Sequence, residues 1–339
     1  MVEQNDANYA YLIDKQQNSP ILEEYIFDSY RSKISLSVLD LIEYNDQILM
    51  NLQISNFSIK NIIEKLHKQL VESIDKQNIL SEFKNITIYA ANTIDRANAY
   101  IIINKINDIK KINKLNSEFY PLAFYSDLDV SNIIINESIE IVDNRTNNNF
   151  ILNIKRHLNS FYQTDEPIRK KIHEIIYNNI ININFTSEKN LIIFLGGEMY
   201  IYGILFDKLF DKKIYITDTE TINNDTIINN LLLDIIKQKN SNNSYNLIDY
   251  KTNNILLNIM NDFIIDYNIN ILLSNISKTG LGKLLCDQIN IIKPKYLILI
   301  TCNYKITLRD IKMLNNYKLI KFIKVSTNYD IYISILIYK

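Results

Sequence analysis

Apolar and polar positions change their rhythm twice along the chain. From Ile34 to about Asn78, apolar residues recur at i, i+3, i+4 and i+7 beside a charged face, as in Asn61–Leu70 (NIIEKLHKQL), and this spacing predicts amphipathic helices. From Ile86 to about Leu152 the runs shorten to ITIYAA, AYIIINKI, FYPLAFY, SIEIV and NFILNI, which read as strands. After Pro167 a helix is predicted over about 168–179, followed by the apolar run Leu191–Leu195, which stops at Gly196-Gly197. Runs at 214–216, 269–273 and 296–300 have the same buried-strand character. Helical stretches around 223–238, 254–264 and 281–291 separate them, and a last β pair falls at 319–325 and 331–338. Strands apolar on both faces, alternating with helices, predict an α/β fold with a mostly parallel, doubly wound sheet. The organisation expected is a polar N-terminal extension over 1–35 with a helix after Pro20, an α+β domain over 36–165, and the α/β domain over 166–339.

Composition refines this picture. A chain of 339 residues suffices for two domains, and its 47% hydrophobic content, with 13 Phe and 23 Tyr, can furnish real cores. The net charge of −1 announces no nucleic-acid partner, although a local basic groove can bind phosphates on a near-neutral protein. Asn, Ile, Lys and Tyr dominate, as in the products of strongly AT-rich genomes, so Asn and Asp must build many turns. All 5 glycines (Gly196, Gly197, Gly203, Gly280 and Gly282) lie in the C-terminal half. In so glycine-poor a chain they mark backbone turns that other residues make badly. Gly196-Gly197 follows a buried strand and Gly280–Gly282 precedes a helix, the places where such sheets bind ligands. Two tight turns without a ligand are the alternative. Cys286 and Cys302 are too few for a disulfide framework and wrongly spaced for a metal; His67, His157 and His173 complete no zinc pattern. Nothing suggests an iron–sulfur cluster. The polar N-terminus and the lack of a long apolar segment predict an intracellular, cytoplasmic protein with no membrane partner.

Three segments, in order, carry a family resemblance. Ser160-Phe161-Tyr162-Gln163-Thr164-Asp165 looks like a Ser-Phe-Phe-Gln-x-Asn motif, and Lys278-Thr279-Gly280-Leu281-Gly282 like the end of an Asp-Pro-Pro-Arg-x-Gly-Leu loop. Ile300-Thr301-Cys302-Asn303 looks like a Ser-Cys-Asn-Pro nucleophile motif. Arg309-Asp310-Ile311 then falls without a gap on an Arg-Asp-Leu, and Tyr317 on a Gly-Tyr. Together these resemble the RNA 5-methyluridine (uracil-C5) methyltransferases over residues 159–339, and only thinly before. The resemblance implies a Rossmann-like methyltransferase domain, S-adenosylmethionine as methyl donor, no metal, and an RNA partner such as tRNA or rRNA. It makes Cys302 the nucleophile and Gln163 a donor contact. The chemistry needs a thiolate because C5 of uracil is a poor nucleophile until addition at C6 makes it enolate-like. A base must then remove the C5 proton, and a base within folded RNA must be flipped out. A small buried residue at a strand end is the other reading of Cys302.

The departures from the family pattern bear on activity. Asn275 stands where the loop has Asp, keeping the shape without the charge, and Lys278 stands for Arg without its planar fork. Tyr304 replaces the Pro after Cys302-Asn303, and Tyr332 falls where the family has its proton-removing Glu. Phenols are poor bases at neutral pH, and Asp330 serves only if the register slips by two. On the donor side Glu198 and Tyr200 fit a Glu-x-Tyr, but Tyr202-Gly203-Ile204 replaces the Gly-x-Gly turn, bulk that would narrow a cofactor pocket. Asp218 is placed either for the ribose hydroxyls or as a solvated strand-end carboxylate. Lys60, Lys65, Lys68 and the run Lys105–Lys114, with Lys110 and Lys111, line either an RNA surface or ordinary solvated helix faces. Three readings follow: an RNA uracil-C5 methyltransferase acting through Cys302, a catalytically inactive methyltransferase-fold protein binding RNA or a protein partner, and an unrelated Rossmann-like protein.

Overall fold

The computed structural model describes residues 20–28, 33–44, 57–83, 85–92, 97–103, 108–126, 133–157, 165–185, 189–196, 200–206, 208–216, 256–257, 268–275 and 279–339. The chain divides into two compact units, one of Met1–Phe27 with Lys171–Lys339 and one of Asp28–Lys170.

The first element, β1 (Ile21–Ile26), is a strand where a helix was expected after Pro20. The unit 28–170 follows with β2 (Lys33–Ser37), α1 (Val38–Ile42), α2 (Phe57–Val71), α3 (Ile74–Ser81), β3 (Asn85–Asn92), β4 (Ala97–Ile103), α4 (Ile109–Glu118), β5 (Phe124–Ser126), β6 (Ile134–Asp143) and β7 (Asn148–His157). Strands β2-β3-β4-β5 form one sheet and β6-β7 a separate antiparallel hairpin. The periodicity read in α2 is the reason it folds as it does: Ile59, Ile63, Leu66 and Leu70 are fully buried against Leu36, Ile88, Ile101 and Phe124. Its charged face carries Lys60, which pairs with Glu64 at 3.8 Å. Strand β2 and helix α4 interrupt stretches read as helical and strand-like respectively. Arg169 and Glu137, both buried, form a 2.9 Å ion pair within this unit.

The second unit continues with α5 (Glu166–Ile181, in which the division falls), β8 (Asn190–Gly196), α6 (Tyr200–Leu205), β9 (Lys212–Ile216), β10 (Asn268–Asn275), α7 (Gly282–Ile292), β11 (Tyr296–Thr301), α8 (Tyr304–Met313), β12 (Tyr317–Ser326) and β13 (Asp330–Tyr338). Among the described residues, seven strands make one sheet in the order β1-β12-β13-β11-β10-β8-β9. The neighbours β9, β8, β10 and β11 are mutually parallel, β13 is antiparallel to both its neighbours, and β1 runs parallel to β12. The runs LIIFL, INILLS and LILIT are buried throughout, as strands covered on both faces must be. β1 is held at the edge by ion pairs from Glu23 to Lys321 (2.8 Å) and from Glu24 to Lys324 (2.9 Å). The predicted helix at 223–238 and most of that at 254–264 lie outside the described residues.

Among the described residues no helix is long and apolar enough to cross a membrane, and no three His, Cys, Asp or Glu gather as a metal site would need. Leu272 sits fully buried in β10, between β8 and β11. Leu272→Ala is expected to lower stability by about 2–5 kcal/mol, read as a shift of the urea midpoint at unchanged slope.

Candidate functional site

Three adjacent parallel strands bring the motif residues to one edge of the large sheet. Gly196 ends β8 and pairs in register with Asn275, which ends β10; Asn275 in turn pairs with Ile300 of β11, two residues before Cys302. β9 lies on one side of β8 and β10 on the other, so strand order reverses there. The crevice outside carboxyl ends at such a reversal is where open α/β sheets hold ligands. Gly196 has φ 103°, a backbone conformation open to glycine and unfavourable for a side chain.

The two cysteines have opposite surroundings. Cys286 is buried in α7, and burial, reinforced by the Asp310 carboxylate, pushes its thiol up to about 12. Cys302 is exposed, in the short step between β11 and α8. That step is tightly made. Asn303 caps α8 by accepting the Ile306 amide at 3.3 Å, Thr301 and Thr307 join their hydroxyls, and the Thr307 hydroxyl also donates to the Asn303 carbonyl at 2.9 Å. Tyr304 therefore occupies the first helical position, where Pro is also favoured, and Asn303 starts the helix without it.

The segment Arg309-Asp310-Ile311 has a physical role that its sequence did not disclose. Asp310, 1% exposed, accepts the Leu281 amide at 2.7 Å, and Arg309 donates to the Thr279 carbonyl at 2.7 Å while pairing with Asp310 at 2.7 Å. Helix α8, which starts just after Cys302, thus grips the turn that leads into α7. Gly280 (φ 68°) makes this approach possible, since a Cβ there would stand 2.3 Å from Asp310 Oδ2 and 2.4 Å from Ile306 Cγ2. Gly282 also has positive φ, at 69°. Gly203, by contrast, lies inside α6 and makes no turn.

Tyr332 of β13 lies opposite Thr301 in the antiparallel register. Its ring, 8% exposed, packs on Tyr304 (5.4 Å between centroids) and Phe322 (5.8 Å). Its hydroxyl donates to Asp330 Oδ2 at 2.9 Å, and Ser326 donates to Asp330 Oδ1 at 2.7 Å. Tyr202 is 1% exposed, shares a 2.9 Å hydrogen bond with His173 Nδ1 and stacks on Phe206, so its bulk is used in the core. Tyr200 is the first residue of α6. Gln163, Glu198, Asp218 and Lys278 lie outside the described residues. On the other unit, Lys111 pairs with Glu82 at 2.7 Å, so that lysine of the basic run has an acidic neighbour.

No family model matches the sequence, and no curated protein matches it. Among solved structures, the tRNA (uracil-54, C5)-methyltransferase of Pyrococcus abyssi, in complex with S-adenosyl-L-homocysteine, matches with a TM-score of 0.58 at 13% identity, over 99% of this chain and 83% of that one. The chain has the fold of a Rossmann-like methyltransferase. The match extends over both units. Precorrin-6y C5,15-methyltransferase from Geobacter metallireducens (TM-score 0.36, 8% identity, 50% of this chain and 88% of that one) is a much looser match. TrmK of M. capricolum (0.34, 8%, 48% and 68%) is equally loose.

Two measurements check this site. At pH 8, a thiol whose pKa is about 12 holds roughly one part in 10,000 as thiolate. Alkylation of the native protein should therefore stop at one equivalent, mapped to Cys302, with Cys286 reacting only in denaturant. Gly280→Ala should cost about 1–3 kcal/mol of stability, from its positive φ and the lost space beside Asp310, read by thermal unfolding.

Proposed function

We propose that the protein is an S-adenosylmethionine-dependent RNA methyltransferase that modifies C5 of uracil through a covalent adduct on Cys302. The observation that carries this reading is the alignment of Gly196, Asn275 and the Thr301–Cys302 step at the carboxyl ends of adjacent parallel strands, with the thiol exposed. An inert structural cysteine would be expected in the core, as Cys286 is. The comparison structure contributes the classes of donor and substrate, being a tRNA uracil-C5 methyltransferase in complex with S-adenosyl-L-homocysteine.

The residues present fit such a donor. Gly196, lacking a Cβ and turned to φ 103° at the strand-order reversal, leaves backbone free for close approach, and Asn275 offers an amide at the neighbouring strand end. Glu198, Tyr200, Asp218 and Gln163 are the further donor contacts that the motif order assigns. When bound, S-adenosylmethionine supplies a methyl group activated by its sulfonium. Cys302 adds to C6 of a flipped-out uracil and raises electron density at C5. Asn275 and Lys278 are the groups of the 275–282 loop assigned to the pyrimidine and its developing charge. The opposing reading, a non-catalytic RNA- or protein-binding descendant, draws on Asn275 and Tyr332 standing where carboxylates are expected.

Two assays separate the readings. Titration calorimetry should detect S-adenosylmethionine binding tighter than about 1 mM. With tRNA transcripts carrying 5-fluorouridine, which has no removable C5 proton, the native protein should give a denaturation-resistant gel shift that Cys302→Ala abolishes. No binding heat together with no shifted band would install the non-catalytic reading instead.

A further inference from the structure

Resting on the proposed uracil-C5 chemistry, we propose that Asp330 is the proton acceptor of the reaction, and that Tyr332 and Ser326 are positioning residues that hold its carboxylate. β13 runs antiparallel to β11, so its beginning lies at the same sheet edge as the carboxyl ends of the parallel strands. Tyr332 is level with Thr301, the last residue of β11, and Asp330, two residues nearer the start of β13, lies beyond that last pair, on the side to which the chain runs on into Cys302. Residues two apart in a strand share a face, so Asp330 needs no bulge to stand beside Tyr332.

The hydrogen bonds point the same way. The Tyr332 hydroxyl is committed as a donor to Asp330, and its ring is enclosed by Tyr304 and Phe322. The Asp330 side chain is 38% exposed, whereas the tyrosine is 8% exposed, so of the two it is the carboxylate that an incoming substrate can reach. One hydroxyl donates to each of its oxygens, from Tyr332 at 2.9 Å and Ser326 at 2.7 Å, and the Lys324 ammonium lies 3.6 Å away. Such a fixed carboxylate keeps lone pairs for an incoming proton, since each oxygen offers about two acceptor sites.

The step balances without further reactants. Once C5 carries the methyl group and Cys302 is bonded to C6, the C5–H bond breaks and its proton passes to Asp330. The electron pair of that bond forms the C5=C6 double bond, and the C6–S bond breaks, returning its pair to Cys302 as thiolate. Protonated Asp330 then loses its proton to solvent through its exposed side.

The experiment compares native protein, Asp330→Asn, Asp330→Glu and Tyr332→Phe on two tRNA transcript pools, one with uridine and one with 5-fluorouridine, using S-adenosylmethionine with a tritiated methyl group. General-base removal should slow methyl release from uridine RNA by about 100-fold or more. Asp330→Asn should therefore accumulate a denaturation-resistant, methyl-labelled protein–RNA band on uridine RNA, yet form the 5-fluorouridine adduct like the native protein. Asp330→Glu should recover part of the turnover, and Tyr332→Phe should slow methyl release less than Asp330→Asn does. Turnover of Asp330→Asn within about threefold of native overturns the assignment, as does loss of its 5-fluorouridine adduct, which would place the residue before proton removal. If the native protein itself gives neither adduct nor methylated RNA, the function proposed above fails, and this inference with it.

Discussion

Parallel strands covered on both faces have no solvent to satisfy their backbone, so neighbouring strands must supply every partner and their register is closely fixed. That constraint governs β8, β10 and β11. Their cores are continuous apolar runs, and pairing locks Gly196 to Asn275 and Asn275 to Ile300. The first polar or exposed residues then have to emerge together at one edge. The gathering of the candidate site residues is thus a consequence of strand pairing, and they come from positions more than a hundred residues apart because three strands end at one level.

Around that edge, the unusual residues are physically linked to one another. Tyr304 stands where the family resemblance leads one to expect proline and Tyr332 where it leads one to expect a carboxylate, yet their rings are in contact. A change at either position alters the surroundings of the other, so the two departures form a single aromatic cluster with Phe322. Asp310 does similar work on the other side of α8. A buried carboxylate is costly unless paired, and here the Leu281 amide and the Arg309 guanidinium provide the pairing. The same bonds fix the turn before α7 relative to the helix that begins after Cys302.

Legibility followed burial. The runs at 191–195, 269–273 and 296–300 announced their strands because both faces are covered and nothing polar interrupts them. β1 did not, since ILEEYI is half exposed and owes its state to Lys321 and Lys324 far along the chain. α4 was hidden by its Lys and Asn content, although Asp108 caps it and Ile112, Leu115 and Phe119 are buried along one side. The cap of α8 is an asparagine in an asparagine-rich chain, a signal with no contrast. At the candidate site, the strand-end positions of Gly196 and Cys302 could be read from the apolar runs before them, whereas Asn275 was singled out by its place in the loop of the resembling family. The partners of Arg309 and Asp310 could not, because Thr279 comes near the first and Leu281 near the second only in the folded chain.

The pairing of β1 with β12 has a consequence for how the molecule is made. These strands are parallel neighbours separated by about three hundred residues of chain, so their pairing is far less local than that of β12 with β13. Because synthesis runs from the N-terminus, β1 is made before residues 28–170 and can pair only once β12 has been made. Its exposed Ile21, Leu22 and Ile26 remain without their final neighbour for that interval. Glu23 and Glu24 put two negative charges on this edge segment and meet Lys321 and Lys324 of β12, so charge complementarity favours this pairing over one with a strand that lacks such lysines.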